Sequence, residues 1–255
     1  MKRDSFKSEE YKIVYSVSDV RDLIRDTICS VNTLRKYVSK EDIIIFYTPP
    51  RSKRNYKRLL KLGSVIKVDN LTDEINVKKG AGRYGDKFHA FYVDSPNMIF
   101  LDSDTIIRGD PSSHLGEDYE FSGRIAPNFW NLDMEVWNKM FTDLGKKPIP
   151  MINTGYMIFQ NYTHNKIVDE VIDYMYSELP KPDRHSNQKD QYALSLAVSD
   201  KDINWMDNSM HSFLWRNEFK GKVLHGSVPK MGSDVKILYN RMKMRMQRYF
   251  LPRLY

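Results

Sequence analysis

The sequence predicts an α/β fold with a mixed, mostly parallel sheet flanked by helices. Three observations support this prediction. Strand-like and helix-like signals alternate over about the first hundred residues, the second half mixes both signals, and no break in composition appears before about residue 230. Such alternation is typical of parallel sheets with helices on both faces. We therefore expect one domain over residues 1–232 and a C-terminal amphipathic helical tail over residues 233–255.

The elements follow from periodicity, taken in chain order. β-prone apolar runs predict strands at 12–18, 42–48, 64–68, 97–101, 120–125 and 151–160. Apolar residues at helical spacing predict helices at 20–38, 54–62, 87–93, 129–148, 166–177 and 190–198. A glycine-rich stretch at 80–85 predicts a loop, and a short apolar run at 223–224 leads into a late histidine.

Composition limits the classes of protein to which the chain can belong. The chain has 255 residues, of which 41% are hydrophobic, enough to bury a core. No apolar stretch approaches the roughly 20 residues that span a bilayer. The single cysteine, Cys29, excludes an internal disulfide framework, and the first residues carry no apolar signal segment. We therefore expect a cytoplasmic protein.

The net charge of +7 is concentrated in the tail. Residues 236–255 contain six basic residues and no acidic ones, whereas the first 235 residues contain 34 basic and 33 acidic residues. A nucleic-acid-binding domain normally carries its basic residues on the folded body. We therefore expect no nucleic-acid partner.

The tail itself predicts a basic amphipathic helix. Its apolar residues recur at helical spacing and are Val235, Leu238, Tyr239, Met242, Met246, Tyr249 and Phe250. Such a helix is typical of docking on an anionic membrane surface, which would bring the protein to a lipid-linked partner as a peripheral membrane protein. Packing of the stripe against the domain, or against a second copy, fits the same periodicity.

An Asp-Ser-Asp sequence directly follows the fourth predicted strand. In an extended segment the side chains of Asp102 and Asp104 would point to the same side. Two close carboxylates repel each other unless a cation lies between them, and carboxylate oxygens suit Mg²⁺ or Mn²⁺. In parallel sheets ligands bind beyond the carboxyl ends of the strands. A plain turn is the alternative, because Asp and Ser are common in turns.

Three later segments place polar residues in apolar surroundings. The strand-like MINTGYMIFQN contains Asn153 and Gly155, although asparagine is depleted in strands and glycine there often marks a close approach. Asp190 and Gln191 open a predicted helix, where an acid also simply favours the first turn. His225 follows the short apolar run, and a single histidine of this kind is usually a surface residue or a core residue.

Together these motifs resemble a known family. LDSDT, NTGYMIFQN, DQYALS and the late LHG resemble GT-A-fold nucleotide-sugar glycosyltransferases, in particular the retaining family 8-like group of glycogenin and bacterial lipooligosaccharide galactosyltransferases. The order and spacing are similar from about residue 12 to residue 230, and KFHAF at 87–91 adds to the resemblance. The resemblance implies a GT-A fold, Rossmann-like, and a transfer of a hexose or related sugar from a UDP-sugar to a glycan, lipid-linked or protein hydroxyl, with retention of configuration.

The resemblance also implies roles for individual residues. Asp102, Asp104 and His225 would hold Mn²⁺, or Mg²⁺, against the donor diphosphate. Gln191 would face the anomeric carbon and Asp190 would bind sugar hydroxyls. The residues implied in donor binding are Ser18, Asp19, Lys87, Ser103, Asn153, Gly155 and Lys230.

The sequence departs from the family pattern at three places. Gly226 follows His225 directly, and Pro229-Lys230-Met231 replaces a Lys-Pro-Trp sequence, which weakens the assignment of Lys230. Tyr192 stands where many members carry a second aspartate, which leaves the donor sugar open.

Other functions fit parts of the same pattern. A non-catalytic nucleotide- or glycan-binding GT-A module and a metal-dependent nucleotidyltransferase both remain alternatives. A glycoside hydrolase fits less well, because its two carboxyls flank the scissile bond at roughly 5–10 Å from each other. Trp130 and Trp137 are interpreted either as walls of an acceptor cleft or as core aromatics.

Overall fold

A computed structural model describes residues 10–19, 23–71, 85–180, 182, 188–216 and 218–226. Its seven-stranded, mostly parallel sheet flanked by helices confirms the predicted fold class. The predicted loop at 80–85 falls almost wholly outside these ranges, and Lys230 and the tail lie outside them altogether. Among the helices of the described ranges, none is both long and apolar enough to cross a bilayer.

Ten strands form within the described residues. They are β1 (Tyr11–Ser18), β2 (Ile43–Thr48), β3 (Ser64–Lys67), β4 (Asn97–Leu101), β5 (Thr105–Ile107), β6 (Phe121–Ile125), β7 (Ile152–Phe159), β8 (Ile203–Trp205), β9 (His211–Phe213) and β10 (Val223–His225). The α-helices are α1 (Leu23–Leu34), α2 (Lys53–Leu59), α3 (Met134–Thr142), α4 (Thr163–Tyr176) and α5 (Lys189–Ala197). Short 3₁₀ helices cover Lys40–Asp42, Asp86–Tyr92, Phe129–Asn131 and Leu214–Arg216.

The main sheet has the strand order β3-β2-β1-β4-β7-β6-β8. β1 pairs in parallel with both β2 and β4, whereas β7 runs antiparallel to β4 and β6. The parallel pairing places the carboxyl ends of β1 and β4 at one edge of the sheet. Ser18 and the Asp-Ser-Asp sequence therefore lie on the edge where parallel sheets bind ligands.

The core lies on both faces of this sheet because side chains alternate along each strand. In β1, Ile13, Tyr15 and Val17 belong to the apolar cluster that includes α1, and Val14 belongs to the cluster on the other face. The second cluster receives α4, α5 and the 3₁₀ helix at Asp86–Tyr92. Burial of both faces explains why β4 is apolar from Met98 to Leu101.

A second sheet of three short strands was not predicted. β10 pairs antiparallel with β5 and parallel with β9, in the order β5-β10-β9. The predicted helix at 87–93 is also corrected, because residues Asp86–Tyr92 form a 3₁₀ helix. Phe88 and Phe91 are both buried. Their spacing of three fits one face of a three-residue turn.

Candidate active site

The Asp-Ser-Asp sequence forms a turn at the end of β4. The backbone N–H of Thr105 donates to the carbonyl of Asp102 at 3.3 Å, and the Thr105 hydroxyl donates to the same carbonyl at 2.8 Å. The backbone N–H of Asp102 donates to the Gly155 carbonyl at 2.9 Å. Within the turn, Ser103 accepts a 3.0 Å hydrogen bond from Thr27 of α1. The expectation of an extended segment is therefore wrong, because this turn replaces it.

β10 brings His225 to the two aspartates of this turn. His225 is opposite Thr105 in the β10–β5 register, and the N–H of Gly226 donates to the Asp104 carbonyl at 3.1 Å. His225 Nε2 lies 3.3 Å from Asp104 Oδ1 and 3.6 Å from Asp102 Oδ2. One possible ligand atom from each of the three side chains lies within 4.8 Å of the others. We call Asp102, Asp104 and His225 the acidic cluster.

The acidic cluster fits a divalent cation. Burial raises the pKa of the Asp102 carboxyl, and the neighbouring carboxylate of Asp104 raises it further, against the effects of Lys87 and His225. Burial opposes protonation of His225, but Asp104 and Asp102 outweigh it and raise the pKa of the imidazole. Asp102 and Asp104 are partly buried and His225 is buried, and two carboxylates with one imidazole form a donor set for a divalent cation.

The ring of His225 is held in place by close packing. It stacks on His211 with ring centroids 5.5 Å apart, and Trp215 meets it edge-on at 5.4 Å. On the remaining side lies Gly155, where an added Cβ would fall 2.0 Å from His225 Cε1. Glycine at this position of β7 thus makes room for the imidazole. The resemblance had implied Gly155 only as a lining of the donor-sugar pocket.

Lys87 joins the acidic cluster to the first turn of α5. Its Nζ lies 3.4 Å from Asp102 Oδ1 and 3.0 Å from Asp190 Oδ2. It also donates to Thr154 Oγ1 at 2.9 Å, and the Thr154 hydroxyl donates to Asp190 Oδ2 at 2.6 Å. Burial opposes the charge, but the two carboxylates outweigh it and raise the pKa of Lys87. The buried ammonium is therefore a fixed positive charge between the two carboxylates.

Thr154 is a site residue that the sequence analysis missed. The only signal was its position inside the Asn-Thr-Gly sequence of a buried strand. The side chain of the neighbouring Asn153 makes a contact within its own strand, since Asn153 Oδ1 accepts a 3.0 Å hydrogen bond from the Gly155 N–H. Gln191 Oε1 is buried and accepts no hydrogen bond from the described residues. A ligand hydroxyl or N–H could therefore donate to it.

The residues implied in nucleotide binding lie at the carboxyl end of β1. Ser18 ends the strand and is nearly buried. The carboxylate of Asp19 accepts hydrogen bonds from Ser52 N at 2.7 Å and from Asn55 Nδ2 at 3.1 Å. Burial opposes ionisation of Asp19, but these bonds outweigh it and lower its pKa. Asp19 thus stabilises the start of α2, and its role toward a nucleotide stays a prediction, as does that of Lys230 outside the described residues.

Comparisons with known proteins identify similar folds at low sequence identity. Neither a protein-family model nor a curated protein sequence matches the chain. The galactosyltransferase LgtC, solved with donor and acceptor sugar analogues, aligns with a TM-score of 0.60 and 11% identity over 93% of this chain and 95% of its own. The glycosyltransferase GlyE from Streptococcus pneumoniae TIGR4 aligns with a TM-score of 0.57 and 14% identity over 96% of this chain and 63% of its own.

A third structure shows the same fold inside a longer protein. The apo WbbM bifunctional glycosyltransferase aligns with a TM-score of 0.57 and 12% identity over 96% of this chain. Only 53% of the WbbM chain is covered, so this chain spans about half of its length. At these identities the similarity concerns the fold, and it confirms the GT-A architecture that the motifs had predicted.

Proposed function

We propose that the chain is a metal-dependent glycosyltransferase that moves a hexose or related sugar from a UDP-sugar to a hydroxyl acceptor with retention of configuration. The observation that carries the proposal is the connection from the acidic cluster through Lys87 to Asp190. One end of this connection suits a diphosphate with its cation, and the other suits a sugar. The glycosyltransferases of the same fold, including LgtC with its donor and acceptor analogues, support the same function.

Asp102, Asp104 and His225 would hold the cation. Carboxylates suit both Mn²⁺ and Mg²⁺, and an imidazole favours a first-row transition ion, so we place Mn²⁺ first. When bound, such an ion offsets the negative charge that builds on the departing diphosphate. His225 must be neutral to act as a ligand, and Gly155 keeps its ring in position beside the two carboxylates.

Lys87 would stabilise the leaving diphosphate from the protein side. Its ammonium is held by Asp102, Asp190 and Thr154 before any ligand arrives. A charge that is already oriented does not have to reorganise during the reaction. Because its carboxylate partners raise its pKa, Lys87 would act as a cation and hydrogen-bond donor rather than as a general base.

Asp190 and Gln191 would bind the transferred sugar. Asp190 is fixed by Thr154 and can accept hydrogen bonds from sugar hydroxyls. Gln191 would place its amide oxygen beside the anomeric carbon as positive charge develops there. We favour attack by the acceptor hydroxyl on the face that the diphosphate leaves. The anomeric carbon–phosphate oxygen bond breaks, a bond to the acceptor oxygen forms, and the acceptor proton passes to a phosphate oxygen.

A screen of UDP-sugars for release of UDP tests this function without a known acceptor. We expect slow release from one or a few UDP-sugars with Mn²⁺, and loss of release with EDTA. Asp102→Asn and Asp104→Asn should each lower the rate about a hundredfold or more. Asp143→Asn, at the exposed C-terminal cap of α3, is the matched control and should behave as wild type. A wild-type rate in the Asp102→Asn/Asp104→Asn double variant would contradict the proposal.

Two further assays separate the proposed function from its alternatives. A non-catalytic module would bind a UDP-sugar, detected by thermal stabilisation, and release no UDP. A nucleotidyltransferase would instead join a nucleoside triphosphate to a sugar phosphate, and this reaction would release pyrophosphate.

A further inference from the structure

We propose that a groove beside the acidic cluster binds a neutral saccharide, which serves as the acceptor. This inference rests on the transferase function proposed above. The groove has a volume of about 500 Å³, within the roughly 300–1,000 Å³ of typical small-molecule sites. Its aromatic and charged lining residues are Arg124, Trp130, Trp205, Asp207, Phe213 and Arg216. We call this surface the aromatic groove.

The aromatic groove adjoins the candidate active site on two sides. The ring of Phe213 lines the groove and lies 6.1 Å from the ring of His225. On the other side, the loop that continues from β6 along the groove is tied to α5, since Asn128 Nδ2 donates to Gln188 Oε1. Gln188 directly precedes the helix that carries Asp190 in its first turn. A molecule in the groove therefore lies beside the elements that would hold the donor sugar.

Trp130 gives the groove an exposed and well-supported apolar surface. It is 72% exposed, the highest value among the large hydrophobic side chains that the structure describes as exposed. Its ring packs against Phe129 at 4.9 Å, and Phe129 in turn contacts the fully buried Trp137 at 6.1 Å. Of the two tryptophans considered in the sequence, Trp137 is therefore a core residue and Trp130 a groove residue.

An indole held in this way is suited to a sugar ring. The face of an aromatic ring carries partial negative charge, and the C–H groups on one face of a pyranose carry partial positive charge. The remaining surface of a sugar is a rim of hydroxyls that needs polar partners. Trp205 and Phe213 extend the apolar surface, and the charged side chains of the groove supply the polar partners.

The charges around the groove are balanced by the protein itself. Arg124 Nη1 lies 2.6 Å from Glu218 Oε2. Burial opposes ionisation of Glu218, but its hydrogen bonds and the charges of Arg124 and Arg216 lower its pKa. The Asp207 carboxylate accepts a 2.7 Å hydrogen bond from the N–H of Ser209. Glu218 is not a lining residue, but its pairing with Arg124 leaves one further cation, Arg216, and one anion, Asp207, in the groove lining. This balance favours a neutral saccharide over an anionic glycan or a charged peptide.

Ligand-observed NMR titration of the full chain, with UDP and Mg²⁺ present in place of the paramagnetic Mn²⁺, tests this proposal. The neutral probes are lactose, maltose and cellobiose, the anionic probe is 3′-sialyllactose, and a serine-rich peptide represents a protein acceptor. We expect at least one neutral disaccharide to bind, and Trp130→Ala to weaken its binding about tenfold or more. The control variant Tyr92→Ala lacks another exposed aromatic side chain, which lies outside the groove lining. It should bind the disaccharide with wild-type affinity.

A second variant, Trp130→Gln, removes the ring but keeps a large polar side chain, and the same loss is expected. Circular dichroism of each variant checks that it folds. Binding of only the anionic glycan or only the peptide would overturn the proposal, as would neutral binding that is unchanged in both Trp130 variants. Absence of UDP release in the donor screen would remove the transferase function itself, whereas release without saccharide binding removes only the acceptor assignment.

Discussion

At the scale of single residues, Gly155 determines where His225 can lie. A methyl group at this position would overlap the imidazole, with contacts of 2.0 Å to Cε1 and 2.3 Å to Nδ1. We expect Gly155→Ala to displace the ring and to weaken Mn²⁺ binding about tenfold or more, because groups that orient a ligand affect affinity by roughly 10–100-fold. Isothermal titration of Mn²⁺ in the presence of UDP measures this loss.

Gly109→Ala is a matched control for this prediction. Its Cβ would meet only the side chain of Lys222, which can move aside. Wild-type affinity in Gly155→Ala would show that the His225 ring does not contribute to the metal site.

Thr154 links two charged groups through one hydroxyl. Thr154→Val keeps the branched shape that a strand favours but removes the hydrogen bonds to Lys87 and Asp190. Loss of bonds to charged groups should lower the free energy of unfolding by about 1–3 kcal/mol and also lower the rate of UDP release. Urea unfolding and the UDP-release assay measure the two effects. Thr142→Val, exposed at the end of α3, should change neither.

These residues also show what the sequence could predict about the site. Asp102, Asp104 and His225 belong to short motifs, and they do lie together. The role of Thr154 depends instead on partners 67 and 36 positions away, which only the folded chain brings near. Periodicity along the chain does not contain that information.

At the scale of elements, α4 carries a buried histidine in its first turn. His164 Nε2 lies 3.1 Å from the Val93 carbonyl, and burial lowers the pKa of the imidazole to about 4. An unfolded histidine titrates near 6.5. Between these values the unfolded state binds more protons, so the free energy of unfolding falls as the pH falls through this window.

We expect this titration to remove about 2 kcal/mol of stability between pH 7 and pH 5 in the wild type. His164→Gln cannot take up that proton, so its free energy of unfolding should fall less over the same interval. Urea unfolding at both pH values measures the difference. Equal losses in wild type and His164→Gln would contradict this account.

The elements differ in how well the sequence predicted them. β4 was predicted with its observed bounds, Asn97–Leu101, because four consecutive apolar residues, Met98 to Leu101, are typical of a strand buried on both faces. β5, β8 and β9 were missed because three residues are too few to show an alternation. The small sheet could not be predicted for the same reason, although it positions His225.

At the scale of the whole molecule, the tail over residues 233–255 lies outside the described residues, and its membrane interaction stays a prediction. We expect the full chain to float with phosphatidylserine-containing liposomes at low salt and to be released at high salt, because basic residues bind anionic lipids electrostatically. A chain that ends at Ser233 should remain in the dense fraction, and neutral phosphatidylcholine liposomes serve as the lipid control. Equal flotation of the two chains would contradict the prediction.

The position of His225 on β10 has a consequence for synthesis on the ribosome. All strands of the seven-stranded sheet come from residues 11–205, whereas His225 reaches the aspartates only after β10 has paired with β5. A nascent chain can therefore build its largest layer before His225, the third member of the proposed metal site, has been translated. We expect prematurely terminated products that end before this histidine to lack catalytic activity. Such products would therefore not hydrolyse the nucleotide sugars of the cell.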